Sequence, residues 1–312
     1  MSRNLIKVKA IWPKSHTISN TSNNTTMTSF NEQPTKPYLP GFTALNDTLN
    51  EDISKLLPLL LNRIKKKLFT CEAVFFLGTL KTETAVLYFL VITSNEEQRD
   101  GSSLNNMIED SCREIAPVSA FVHNANTVVS AARKVNYFFS SILLHKRLLY
   151  LSGNMILPTP GALDYRSIIP KTVATWERWH QMSLDFIAGC EFYMKESKFR
   201  LALFLLHQSA ESILKAINRA VTGYRIEVHN LSRLLVISTL YTQDLTNVFP
   251  LKTEKGIMEF DLLKRAYSES RYKDDFDPEE AQVRSLYGHV QRLQVGAERL
   301  YLAHLSNLDS TL

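Results

Sequence analysis

The stretch FRLALFLLHQSAESILKAINRAV, residues 199–221, decides the fold of the C-terminal half of this chain. Its apolar residues recur at helical spacing, which predicts one long helix whose apolar face packs against other helices. Gly223 follows, and glycine is the residue that most often ends a helix in the left-handed conformation. The predicted apolar face contains Leu203, Leu206, Ala210, Ile213 and Ile217.

Helical patterns continue on both sides of this stretch, from Tyr165 almost to the C-terminus. The last helix is predicted to begin near Asp277-Pro278, because Asp is a favourable N-cap residue and Pro fits the first turn. Five helices with short links predict an antiparallel bundle over residues 161–312. They are expected at residues 173–194, 199–221, 230–239, 255–270 and 277–306.

Residues 43–160 combine helical patterns with short apolar runs that are rich in β-forming residues. The runs at 73–77 and 85–93 predict strands buried on both faces of a sheet. Two further strands are predicted at 118–123 and 148–151. The expected fold class is therefore α+β, with a small mixed β-sheet domain followed by the helical bundle.

The first 42 residues differ in composition from the rest of the chain. Twelve of the fifteen residues from Ser15 to Ser29 are Ser, Thr or Asn, so we expect residues 1–42 to form a mobile tail. The net charge of +5 comes mainly from this tail, since residues 1–45 carry five Lys or Arg and one Glu. The remainder is nearly balanced, which argues against a broad basic DNA-binding face.

The chain has three cysteines, and none of them forms a CxxC pair or has metal-ligand spacing. No apolar run reaches the length of about 20 residues that a membrane-spanning helix needs. No signal peptide precedes the predicted domains. We therefore expect free thiols, a cytoplasmic location and no membrane association.

Four separated segments of the helical half resemble HEPN domains, in the same order. HEPN domains are helical bundles found in prokaryotic nucleotidyltransferase–toxin pairs, RNases and defence proteins. The resemblance covers about residues 170–305, and it implies binding of nucleotides or RNA and frequent dimerisation. The segments are LFLLHQSAESILKA (203–216), TGY (222–224), HNLSRLL (229–235) and AYSESRYKDDF (266–276).

The preceding sheet domain resembles the nucleotidyltransferase-like domain that is often fused to HEPN. The resemblance lies in the order of the strands and in Phe76-Leu-Gly78-Thr79, where Gly78 and Thr79 would form a phosphate-binding turn. Active members use carboxylates on the next strand to hold Mg²⁺ beside a triphosphate. Residues 85–92 contain no carboxylate, and Glu83 stands alone before them. We therefore expect a catalytically degenerate domain without a metal or cofactor.

HEPN RNases use an Arg-x(4–6)-His motif, in which Arg stabilises phosphate charge and His transfers a proton. At the matching position this chain has Arg271-Tyr272-Lys273 with no His following. The spacing also occurs by chance at Arg200…His207 and at Arg284…His289. Ribonuclease activity would therefore need Arg271 together with a His from elsewhere, such as His207.

Polar residues form a stripe along the central helix, with His207, Glu211 and Lys215 spaced four residues apart. One interpretation is a solvated face or a hydrogen-bonded seam. The other is a groove for a nucleotide or an RNA phosphate, completed by Arg271 and by the other predicted binding residues. Those residues are Tyr272, Lys273 and His229, of which His229 could instead cap the next helix.

Three functions stay open on the sequence alone. The first is a nucleotide- or RNA-binding HEPN protein with a degenerate nucleotidyltransferase-like domain, in regulation, toxin–antitoxin systems or defence, with a possible cognate protein partner. The second is an enzyme, a metal-independent endoribonuclease. The third is an interaction scaffold that dimerises through its helical domain. The apolar stripe expected to pair two chains contains Phe186, Leu286, Val290, Leu293 and Leu300.

Overall fold

The computed structural model of the chain describes residue 42 and residues 44–80 and 85–310. The predicted tail and Glu83 therefore lie outside the described residues, apart from Phe42, which is buried. The chain is α+β, as predicted: among the described residues, a four-stranded mixed sheet is followed by a part that contains five α-helices. No helix among the described residues combines the length and the apolar character that crossing a membrane requires.

The sheet lies in the N-terminal part and has the strand order β3-β2-β1-β4. Strand β1 pairs antiparallel with β2 and β4, whereas β2 and β3 are parallel. The strands comprise β1 (Cys71–Leu80), β2 (Val86–Thr93), β3 (Val118–Asn124) and β4 (Arg147–Leu151). The four predicted strands are thus confirmed, and β1 and β2 are almost entirely buried.

In the described part of the chain, four helices accompany the sheet, and each begins at a side-chain cap. Asn50, Asp100, Asn124 and Asn136 each accept a hydrogen bond from a backbone N–H in the first turn. One face of the sheet packs in a core with the first two of these helices. They are α1 (Glu51–Lys67), α2 (Gly101–Cys112), α3 (Ala125–Arg133) and α4 (Tyr137–His145).

The helical part contains α5 (Tyr165–Lys195), α6 (Phe199–Thr222), α7 (Leu231–Ser238), α8 (Glu254–Tyr272) and α9 (Glu280–Ser310). Helix α6 is the central one and contacts the other four. Its five predicted apolar residues are all fully buried. It ends at Gly223, whose φ of 69° is the left-handed conformation that the sequence predicts.

The apolar stripe of α9 has a different role from the one predicted. Leu286, Val290 and Leu293 are fully buried within the chain, where they belong to the same core as α6. The prediction that Leu286, Val290 and Leu293 pair two chains is therefore wrong, because the bundle itself covers them. Phe186 on α5 and Leu300 on α9 are only partly buried, so pairing through these two residues stays a prediction. Dimerisation stays a prediction without this support.

One continuous hydrophobic core joins the second face of the sheet to the helical part. The hydroxyl of Tyr88 on β2 lies 2.7 Å from Oγ1 of Thr239, just after α7. Arg233 of α7 reaches the sheet side, where it donates to Glu109 at 2.7 Å and to the backbone oxygen of Ala120. These contacts fix the helical elements that carry the candidate site.

Candidate functional site

The sequence-predicted residues of α6 meet α8 and the segment before α7. His207, Glu211 and Lys215 lie on one stripe of α6, and each is less than 10% exposed. Of the two interpretations of this stripe, the hydrogen-bonded seam describes how these three buried side chains are placed. His229 is different, because its side chain is 61% exposed while it contacts the same stripe.

Glu211 is the centre of this cluster. Its Oε1 accepts hydrogen bonds from Nζ of Lys215 at 2.7 Å and from Nδ1 of His229 at 2.9 Å. Burial alone would raise the pKa of Glu211, but the neighbouring His207, the hydrogen bond from Lys215 and the nearby positive charge lower it to about 2. Glu211 is therefore a carboxylate at neutral pH, which means that Nδ1 of His229 carries the hydrogen.

His207 is held inside the bundle. Its Nδ1 lies 2.9 Å from the backbone oxygen of Leu263 in α8, and its Nε2 lies 3.5 Å from Oε2 of Glu211. The side chain is nearly inaccessible to solvent. His207 therefore supports the packing of α6 on α8, and the little surface that it exposes lines the cleft beside His229.

The predicted surface residues at the end of α8 are organised around Tyr267. The guanidinium of Arg271 lies 4.1 Å from the centre of the Tyr267 ring and donates through Nε to the Tyr267 backbone oxygen at 2.9 Å. The imidazole of His229 stacks near the same ring at 5.9 Å. We call His229, Tyr267, Arg271 and Tyr272 the Tyr267 stack.

Arg271 and Tyr272 are exposed, and Tyr272 shows 78% of its surface to solvent. The guanidinium also lies 5.0 Å from the Tyr272 ring. Among the described residues, no carboxylate lies within ion-pair distance of Arg271. Lys273 is exposed too, but it faces Asp275 at 4.0 Å. Arg271 is thus an oriented cation that has no counterion in the part of the chain that the structure describes.

Tyr267 was not singled out from the sequence, although it occupies the centre of the site. A signal was present, since Tyr267 precedes Arg271 by four residues and such pairs lie on one face of a helix. Nothing local in the sequence indicated that His229, 38 positions earlier, would stack on the same ring.

A cleft of about 650 Å³ opens beside His229, between α2 and the helical part. Its cations are already paired: Arg233 with Glu109, and both Lys264 and Arg265 with Asp261. The cleft is therefore polar but close to electrically neutral. Its charge pattern favours a hydrogen-bonding ligand over a strong anion.

The predicted phosphate turn has another conformation. Gly78 and Thr79 lie inside β1, where they pair with Tyr88 and Leu87 of β2 next to an irregularity in the register. The backbone N–H of Thr79 donates to the oxygen of Asn46 at 2.8 Å. This N–H is thus occupied by the protein, so the pair forms no open turn for a phosphate.

The two chance matches to the RNase spacing have structural roles. Arg200 donates through Nε to the backbone oxygen of Ser270 at 2.8 Å, so both Arg200 and His207 bind the backbone of α8. Arg284 pairs with Glu280, and Nδ1 of His289 lies 2.7 Å from the oxygen of Val248. Neither pair presents an arginine and a histidine together to solvent.

Residues 176–294 match the model of the HEPN domain family. The matched segment begins within α5, ends within α9 and includes the Tyr267 stack, Glu211 and Lys215. No curated protein matches the chain significantly. The family match supports a role related to nucleotides or RNA at the level of the family.

Proposed function

We propose that the chain binds RNA or a nucleotide through the Tyr267 stack. The observation that carries the proposal is the Arg271 guanidinium, held 4.1 Å from the Tyr267 ring without a carboxylate partner among the described residues. Such a cation suits a phosphate oxygen or the face of a base. The neighbouring exposed ring of Tyr272 offers a second stacking surface.

The buried Glu211 contributes by fixing one edge of this surface. Because Oε1 of Glu211 accepts from Nδ1 of His229, the outer nitrogen Nε2 is directed away from the carboxylate. Lys215 balances Glu211 from inside the bundle. The stack is therefore preoriented before a ligand binds, which reduces the ordering cost of binding.

A binding titration tests this proposal. Fluorescence polarisation with a labelled single-stranded RNA would compare the unmodified chain, Arg271→Ala and the control Arg284→Ala. Arg284 is an exposed arginine of α9 that pairs with Glu280. Loss of the Arg271 contact is expected to weaken binding about tenfold, since a charge-assisted hydrogen bond contributes roughly 1.5 kcal/mol or more. Equal affinities of the two variants would refute the proposal.

A second function, metal-independent RNA cleavage, is favoured by one observation. His229 and Arg271 both lie within 6 Å of the Tyr267 ring, and both are exposed. In this reaction the ribose 2′-oxygen attacks phosphorus and the 5′-oxygen leaves, which gives a cyclic phosphate. His229 would take or return the proton, and Arg271 would stabilise the charge on the phosphate.

This second function differs from the prediction based on His207, because His207 is buried. RNA would be incubated with the protein in the presence of EDTA, and the products would be separated on a gel. Under this hypothesis His229→Ala abolishes cleavage, whereas His145→Ala, at an exposed histidine of α4, retains it. If the unmodified chain binds RNA but does not cleave it, the cleavage hypothesis is refuted and only the binding proposal stands.

A further inference from the structure

A second cleft, of about 910 Å³, lies on another part of the molecule. It is bounded by the turn between α3 and α4, the beginning of α5 and the end of α6. Four cationic side chains line it, namely Lys134, Lys171, Arg219 and Arg225. We call this site the basic cleft.

The cations of the basic cleft differ from those beside His229 in having few partners. Among the described residues, only Arg225 of the four makes an ion pair, with Glu227 at 3.2 Å, and both side chains are largely exposed. Asp164 is the one carboxylate that the described residues contribute to the lining of the cleft, and its Oδ1 accepts from the backbone N–H of Arg166 at the start of α5. The cleft therefore has a net positive charge.

The positive charges also repel one another. Burial lowers the pKa of Arg219, and the positive charges of Arg225 and Arg178 lower it further. Arg219 still remains charged at neutral pH. Mutual repulsion between these cations lowers the stability of the free protein, whereas a bound anion would attract them and stabilise the folded state.

The wall of the basic cleft is conformationally fixed. Val135 has a φ of 51°, which is unusual for a β-branched residue and stores strain at the turn after α3. Its neighbour Asn136 donates through Nδ2 to the oxygen of Gly223 at 3.3 Å and caps α4. The turn that follows Lys134 is thus tied to the end of α6.

We propose that the basic cleft binds a chain of phosphate groups, such as the triphosphate of a nucleotide or of an RNA 5′ end. Several adjacent cations match several adjacent phosphates, and amide side chains of Asn124 and Asn126 offer further hydrogen bonds. The volume is within the range of small-ligand sites. Because Asp164 is the only carboxylate among the described residues that line the cleft, Lys and Arg would neutralise the phosphates in place of Mg²⁺.

Isothermal titration calorimetry of the full chain with inorganic triphosphate in EDTA tests the proposal. The charge-removing double variant Lys171→Gln/Arg219→Gln is compared with Lys195→Gln. Lys195 is an exposed lysine on the same helix as Lys171 and pairs with Glu191 outside the cleft. Far-ultraviolet circular dichroism confirms that each variant is folded.

We expect triphosphate to bind the unmodified chain and Lys195→Gln equally, and the double variant at least tenfold more weakly. The double variant should lose the same fraction of triphosphate affinity in an Arg271→Ala background, so the basic cleft is tested separately from the Tyr267 stack. If ATP binds more tightly than inorganic triphosphate, the ligand is a free nucleotide. If 5′-triphosphorylated RNA binds more tightly than the same RNA with a 5′-hydroxyl, the ligand is an RNA end. Absence of triphosphate binding at millimolar concentration, or equal affinity of the double variant, would overturn the proposal.

Discussion

Nδ1 of His229, on the segment before α7, lies 2.9 Å from Oε1 of Glu211, which is buried in α6. This contact joins an exposed imidazole to a carboxylate inside the bundle. The same oxygen accepts from Lys215, so one buried group organises both the interior and the edge of the proposed binding surface. The stability of the bundle and the orientation of the surface therefore depend on Glu211.

Glu211→Gln is expected to lower the free energy of unfolding by about 3 kcal/mol. The substitution leaves the buried ammonium of Lys215 without its counterion, and breaking a buried pair costs roughly 3–5 kcal/mol. Glu191→Gln breaks an exposed pair with Lys195 on α5 and should cost less than about 1 kcal/mol. Urea unfolding measures both values. Similar losses in the two variants would contradict a structural role for the buried pair.

The contribution of Glu211 should depend on pH in the acid range. Its pKa falls from 4.5 to about 2 on folding, so the folded state favours the carboxylate. The resulting stability is present above the unfolded pKa and is lost as pH falls towards 2. The stability difference between the unmodified chain and Glu211→Gln should therefore shrink between pH 5 and pH 2. A difference that is constant over this range would contradict the lowered pKa.

His123 on β3 should make stability depend on pH in a higher range. Burial lowers the pKa of His123 from 6.5 to about 4, and its Nε2 lies 2.8 Å from the hydroxyl of Tyr224. The unfolded chain binds the proton first, so stability falls as pH drops from 6.5 towards 4, by at most about 1.4 kcal/mol per pH unit. His123→Asn should reduce this slope in urea unfolding, whereas His145→Ala should keep it. An unchanged slope in His123→Asn would disprove this assignment.

Gly223 should tolerate no side chain, in contrast to Gly153. A Cβ at Gly223 would lie 2.8 Å from Cβ of Tyr137, and the φ of 69° is unfavourable for other residues. Gly223→Ala is therefore expected to lower the melting temperature by several degrees, since a loss of 1 kcal/mol shifts it by roughly 2–4 °C in a chain of this size. Nothing lies within 4 Å of a Cβ at Gly153, so Gly153→Ala should melt like the unmodified chain. Equal melting temperatures would contradict this account of the α6 end.

The sequence predicts the helices and strands well because their apolar residues follow the period of the element. The face of α6 and its end at Gly223 are examples, since both depend on neighbours within a few residues. The prediction that the stripe of α9 packs against a second chain is wrong for Leu286, Val290 and Leu293. Periodicity indicates that these residues are buried, but it does not indicate which element buries them. The central element α6 covers the stripe within the chain.

The candidate site was predictable only in part. His207, Glu211 and Lys215 share a stripe through helical spacing, and the structure brings His229 to them. The sequence does not show which histidine faces solvent, because that depends on how α8 covers α6. The sequence does not indicate the basic cleft either, because its residues are far apart along the chain. Its cations come from the turn after α3, from α5 and from around the end of α6, and they converge only in the folded chain.

The most direct test of the proposed RNA-binding surface is photo-crosslinking with a single-stranded RNA that contains 4-thiouridine. Peptide mass spectrometry then locates the crosslinked residues in the full chain. Our account predicts crosslinks to Tyr267, Tyr272 or His229, at a yield that falls in Arg271→Ala and is unchanged in Arg284→Ala. Crosslinks found only outside the Tyr267 stack, at the same yield in both variants, would contradict the account.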